Sequence, residues 1–188
     1  MQPAKVRSQS TPHPSRTSKL TTYPDVPTIL ALITELAAHQ EAADSVLATE
    51  ASLLDTLSFA PQPNSPPSGP GYAKALLLRL NSKPIGMALY FNSYSTWRGA
   101  PGIYLEDLYV KEEYRGRGYG KLLIKALAKE TKRIGGGRLE WSCLKWNEKS
   151  LRFYEALGAV QQGEWVKLRC DGEVLDRLAA ADGPDHAK

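Results

Sequence analysis

Two cysteines in 188 residues, Cys143 and Cys170, are too few for a disulfide framework or a thiolate metal site, so a reducing compartment is the expected setting. Both are read as small buried hydrophobes, the common fate of a free thiol. The three histidines, His13, His39 and His186, share no ligand spacing, and no metal is expected. No apolar run approaches the roughly 20 residues that cross a bilayer, so no membrane partner is expected. The N-terminus has no apolar core of a secretory signal. A cytoplasmic location is the expectation, with nuclear or organellar ones left open. Acids are absent from residues 1–22, where Lys5, Arg7, Arg16 and Lys19 account for the whole net charge of +4. The 20 basic and 20 acidic side chains of the remainder cancel. A neutral body argues against a nucleic-acid partner, which would call for a basic excess.

What is present is an ordinary globular balance, 42% hydrophobic and 23% charged, enough for one domain with its own core. Residues 1–22, rich in Ser, Thr and Pro, read as a disordered basic tail. Pro3, Pro12 and Pro14 oppose the amphipathic helix that a transit peptide needs. One domain is expected over 23–181, followed by a disordered 182–188. Ile29, Leu30, Ile33, Leu36 and Ala37 mark one face of a helix with Pro27 in its first turn. A second short helix is capped by Thr49, with Leu53, Leu54 and Leu57 facing inward. The Pro- and Gly-rich stretch 60–71 is a loop. Strands at 73–80 and 83–94 meet at a tight turn, Asn81–Ser82, and a third covers 102–110. A helix over 119–134 places Leu122, Leu123, Ala126, Leu127 and Ile134 on one stripe, and Gly135–Gly137 ends it. A strand at 138–146, a helix at 148–157, a strand at 164–170 and a last helical segment follow. The order specifies an α+β fold, helices around a mixed sheet.

The stretch from Glu112 to Leu123, EEYRGRGYGKLL, raises the functional question. Residues 111–138 hold nine basic side chains against three acids, and they straddle a helix start, where N–H groups attract anions. Glycines at 116, 118 and 120 let a ligand approach the main chain. A phosphate-bearing ligand fits this chemistry. A dinucleotide fingerprint fails because position 121 is Lys rather than Gly. A Walker loop fails because Arg115 and Leu122 replace its first Gly and its Ser or Thr. A glycine-rich turn beside a solvated basic helix face is the plain alternative.

Arg115-Gly116-Arg117-Gly118-Tyr119-Gly120 reads as Arg-x-x-Gly-x-Gly and resembles the acetyl-coenzyme A pyrophosphate loop of the GNAT superfamily of N-acetyltransferases. The flanking YLEDLYVKEEYRG and WNEKSLRFYEALGA are similar, more narrowly, to diamine (spermidine/spermine) and thialysine acetyltransferases. That resemblance covers about Pro84 to Ala159, with a weaker match over the first helices. It implies a GNAT-type α/β/α sandwich around a mostly antiparallel sheet. It also implies acetyl-coenzyme A as co-substrate, direct transfer to a primary amine of a small molecule, and a homodimer.

The resemblance carries further expectations residue by residue. Cofactor contacts are implied for Leu108 and Val110 through their main chain, for Arg115, Gly116, Arg117, Gly118, Tyr119, Gly120 and Lys121 at the phosphates, and for Asn147 and Tyr154. Glu106 is implied to bind or deprotonate the amine through water, and Asp107 to hold a cationic substrate. Strand alternation would send these two adjacent carboxylates to opposite faces, which argues against a dyad. Tyr154 is implied to protonate the departing thiolate. Asn147, seven residues earlier, shares its helix face and doubles as an N-cap. Trp97 resembles an aromatic over the amine channel and offers a cation–π surface. Strand charge for the acids, core packing for Tyr154 and loop packing for Trp97 are the plain readings beside these.

The pattern departs from the polyamine enzymes where His39 and Gln40 replace an aromatic and an acid, and where Ser95 replaces an aspartate. Arg98 adds positive charge beside Trp97. The expected substrate is therefore a small primary amine such as a lysine analogue, an amino acid or another diamine. A peptide or protein acetyltransferase and a non-catalytic acetyl-coenzyme A-binding module are the alternatives.

Overall fold

The computed structural model describes residues 16–20, 25–60 and 71–180. The chain falls into two compact units, one up to Leu144 and one from Lys145 onward.

The first unit is built on a five-stranded sheet in the order β1-β2-β3-β4-β5: Arg16–Leu20, Lys74–Leu80, Lys83–Ser95, Ala100–Val110 and Leu139–Trp141. The first four pair antiparallel and β5 runs parallel to β4, so the sheet is mixed and mostly antiparallel, as expected. β2 and β3 join through Asn81 and Ser82, whose φ values of 48° and 67° are both positive, as a two-residue hairpin of the right twist requires. Pro27 opens α1, Val26–His39, where its missing N–H costs nothing. The helix buries Val26, Ile29, Leu32 and Leu36, a three- and four-residue rhythm that makes one stripe. With Leu53 and Leu57 at α2 (Glu50–Thr56), this stripe packs on Ala75, Leu77, Met87, Leu89 and Tyr109 of the sheet. Thr49 caps α2 in a reciprocal capping box with Ser52.

The intervening strand residues Leu76, Leu78, Ala88 and Tyr90, also buried, belong by alternation to the opposite face. That face meets α3, Tyr119–Arg133, through Leu123, Ile124 and Leu127. The result is a helix–sheet–helix sandwich.

The second unit contains α4, Glu148–Glu155, and α5, Gly172–Ala180.

Several expectations need correction. The tail boundary at residue 22 falls late, because Arg16–Leu20 pairs along β2. A Ser/Thr/Pro count misses that an open strand edge can recruit a short polar segment. Residues 1–15 and 182–188, called disordered, lie outside the described ones. Leu54 and Leu122 are 39% and 38% exposed: α2 buries Leu53 instead, and the buried stripe of α3 runs through Ile124 and Thr131. Residues 164–170 form no strand; their alternation of residue types shows two faces but supplies no partner edge. Neither cysteine is core: Cys143 is half-buried and Cys170 exposed.

Candidate active site

The site begins with an irregularity in β4. Asp107 pairs with Leu89 and Leu105 with the next residue, Tyr90, leaving Glu106 without an opposite partner. This is a β-bulge, which bends and over-twists its strand. Ahead of it, Ile103 donates its N–H to the Arg138 carbonyl, so Ile103 and Leu105 direct their main-chain groups toward β5. Beyond it, Lys111 donates to the Ile85 carbonyl, so Lys111, Tyr109 and Asp107 face β3. Leu108 and Val110 must then face away from β3.

On that side the sheet ends early. β5 pairs with β4 only across Ile103–Leu105 and stops at Trp141. Among the described residues, the outward main-chain groups of Leu108 and the N–H of Val110 therefore lie along an opened edge, the kind that accepts an extended amide chain as an added strand, while the Val110 carbonyl accepts from Arg115.

Lys111 leads through a short 3-10 turn, Glu112–Tyr114, into the glycine segment. Gly116 and Gly118 hold φ values of 75° and 79°, in the left-handed region that side-chain-bearing residues avoid. Among the described residues no atom lies within 4 Å of where their Cβ would be, so the turn presents bare main chain. Gly118 is also the N-cap of α3. The first rung of the helix is Leu122 N–H to the Gly118 carbonyl, which leaves the N–H groups of Gly120 and Lys121 ahead of the ladder, where anions bind. Arg117 and Lys121 are exposed beside them. Tyr119 is 4% exposed, so its ring is core and only its main chain could meet a ligand. An opened edge for amides and a bare, cationic turn for phosphates together fit a coenzyme A-type molecule.

The two carboxylates differ in environment. Glu106 is exposed at the bulge and Asp107 half-buried. Because Asp107 pairs with Leu89, it lies on the α1 side of the sheet. Burial, then the neighbouring Glu106 charge, pushes its carboxyl up to about 6. The opposite-face expectation rested on unbroken alternation, which the bulge interrupts, and Asp107 feels the Glu106 charge.

Arg115 is engaged within the protein. Its Nε donates to the Val110 carbonyl at 2.8 Å, its guanidinium lies 5.5 Å over the Tyr109 ring, and Nη1 is 3.3 Å from His39 Nε2. Lys111 donates to Glu35, on α1.

In the second unit, Asn147 caps α4 by accepting from the Ser150 N–H at 3.1 Å, as expected. Tyr154 is half-buried, its ring centroid 5.1 Å from that of Phe153.

Trp97 is not brought to the bulge. It is 90% exposed in the β3–β4 turn, and the six strand steps from Ala100 to Glu106 span about 20 Å.

Sequence reasoning missed the bulge, which is visible only once β4 is paired with β3. It also missed Glu35, although Glu35 and His39 stand one helical turn apart on α1 and that spacing was available.

A model of the Acetyltransferase (GNAT) family matches residues 36–159. A thialysine N-epsilon-acetyltransferase from Bos taurus is 36% identical, over 82% of this chain and 92% of that protein. An L-ornithine N5-acetyltransferase from Arabidopsis thaliana is 30% identical, over 85% and 86%. Among solved structures, an integron cassette protein from the mobile metagenome of V. cholerae superposes with a TM-score of 0.73 at 25% identity, covering 89% of this chain and 99% of that one.

Proposed function

The chain belongs to the acetyltransferase (GNAT) family, and on that premise we propose that it transfers an acetyl group from acetyl-coenzyme A directly to a primary amine on a small, short-chain molecule. The observation that carries the reading is the continuity of the opened β4 edge with the left-handed glycine turn. One segment of 13 residues, Leu108–Gly120, offers main-chain groups to an amide chain and then to phosphates.

When bound, the thioester supplies an activated acetyl group; everything else falls to the protein. Leu108 and Val110 orient the extended arm, and the N–H groups of Gly120 and Lys121, with Arg117 alongside, hold the anionic end. An alkylamine with a pKa of about 10.4 is almost wholly protonated at neutral pH, so a base is needed. Glu106, exposed at the bulge, takes that proton directly or through water. Asp107, on the α1 side, holds the cation. The resemblance assigns Tyr154 the proton for the leaving sulfur, and Asn147 fixes the start of the helix that carries it.

The relatives named for thialysine and L-ornithine point to an amine at the end of a short amino-acid side chain. The loss of acids at Gln40 and Ser95 supports this over a polyamine, because each missing contact to a charged amine forgoes about 1.5–3 kcal/mol. By resemblance the active form is a homodimer, which sedimentation would test.

A panel of amino acids, diamines, polyamines and lysine peptides, read by thiol release, tests the function. Turnover with ornithine- or thialysine-like amines is expected. Coenzyme A binding without turnover on any amine would leave only a binding module. Tyr154→Phe is expected to lower kcat far more than cofactor affinity; equal activity would remove Tyr154 from its role.

A further inference from the structure

α1 is fastened to the sheet at both ends. Near its start, Arg79 of β2 reaches Asp25 at 2.6 Å. Near its finish, Glu35 and His39 stand one turn apart and so share a face. Glu35 receives the Lys111 ammonium. Burial raises the Tyr109 phenol, and the Glu35 charge and a hydrogen bond to Glu35 raise it further, while Arg115 lowers it. His39 meets Arg115, which in turn covers Tyr109 and donates to the Val110 carbonyl.

These contacts converge on a short stretch. Tyr109 and Val110 end β4, Lys111 leaves it, and Arg115 precedes Gly116 directly. Between the two anchors lie only the three residues of the 3-10 turn. The beginning of the glycine turn is therefore fixed from α1 rather than by its own glycines, which have open space around them. Through His39, Arg115 also meets the last turn of α1, the end of a helix that carries partial negative charge. For Nη1 to donate to His39, Nε2 must carry a lone pair, because a guanidinium has only donors.

We propose that Glu35 and His39 are positioning residues for the phosphate-binding turn: from one face of α1 they hold Lys111, Tyr109 and Arg115, and so set the main chain that grips the donor. Arg115 acts inside this clamp, as a staple between α1 and the end of β4. The cations that face the anionic ligand are Arg117 and Lys121. The inference rests on the coenzyme A reading and adds to it residues that touch neither substrate.

Calorimetric titration of coenzyme A into wild type, Glu35→Gln, His39→Ala and His39→Gln, with amide hydrogen exchange of residues 116–121 in the ligand-free proteins, tests it. Glu35→Gln and His39→Ala are expected to weaken binding about fivefold to tenfold, the scale of one net hydrogen bond lost indirectly. They are also expected to speed exchange in the turn while kcat at saturating donor stays within about twofold. His39→Gln, which restores an acceptor, is expected to recover most of the affinity. Wild-type binding with unchanged affinity and exchange in both variants overturns the clamp alone. Absence of binding by the wild type overturns the cofactor reading itself and the clamp with it. Because His39 is exposed, His39→Ala folds and the test stands even where Glu35→Gln does not.

Discussion

The two halves of β4 differ in what surrounds them. From Ala100 to Leu105 the strand pairs with β3 throughout and with β5 over Ile103–Leu105, and Ile103 and Leu105 are 0% and 1% exposed. From Glu106 to Val110 it keeps β3 on one side only, and its side chains are exposed or half-buried apart from Tyr109. The first half spends its hydrogen bonds on the sheet and holds the fold. The second keeps one edge for a ligand. A single extra residue, Glu106, marks the change from one to the other, and it is also the residue proposed to take the amine's proton.

Substitutions on either side of the bulge break or sharpen this division. Glu106→Gln, in the open half, is expected to lower kcat/KM by about 10²–10⁴-fold, the usual reach of a positioned base, with an unchanged urea midpoint. A fall in stability instead would make Glu106 a structural residue. Leu105→Ala, one position earlier, is expected to cost about 3 kcal/mol by urea unfolding while the folded fraction keeps its kcat. Gly118→Ala must hold a left-handed conformation at a cost of about 1–2 kcal/mol. It is expected to weaken coenzyme A binding about tenfold by calorimetry.

Asp107→Asn gives the smallest effect and the most specific one. Asp107 holds its proton to about pH 6 in the folded protein against about 3.9 unfolded. Between those values the folded state binds more protons, so stability falls as pH rises through the window and the penalty is complete above it. With discounting for partial exposure, the amide is expected to gain about 1 kcal/mol at pH 8 and nothing at pH 4. Equal stability at both values would mean that Asp107 is not held in a desolvated place.

Most of the fold was legible because local signals agreed. Pro27 and the α1 stripe, the Thr49 cap, the Asn81–Ser82 turn and the glycines at 135–137 each specify their own neighbourhood, and the structure places them there. The glycine turn was legible for the same reason: its chemistry is contiguous. What failed depended on partners distant in sequence. Arg16–Leu20 needed the β2 edge, residues 164–170 lacked one, and the bulge exists only relative to β3. Glu35 and Lys111 are 76 residues apart, and no periodicity links them.

The donor end of the proposed site draws mostly on main chain, from the β4 edge to the helix start, whereas its proposed acceptor end draws on carboxylates. Every residue type but proline carries the same peptide N–H and carbonyl, so drift at Leu108 and Val110 leaves their part of the grip intact, whereas the left-handed glycines at 116 and 118 are not free to drift. Mutations around Glu106 and Asp107 can then explore new amines on a scaffold that already delivers acetyl groups. For an engineer, selectivity and donor use become separate controls.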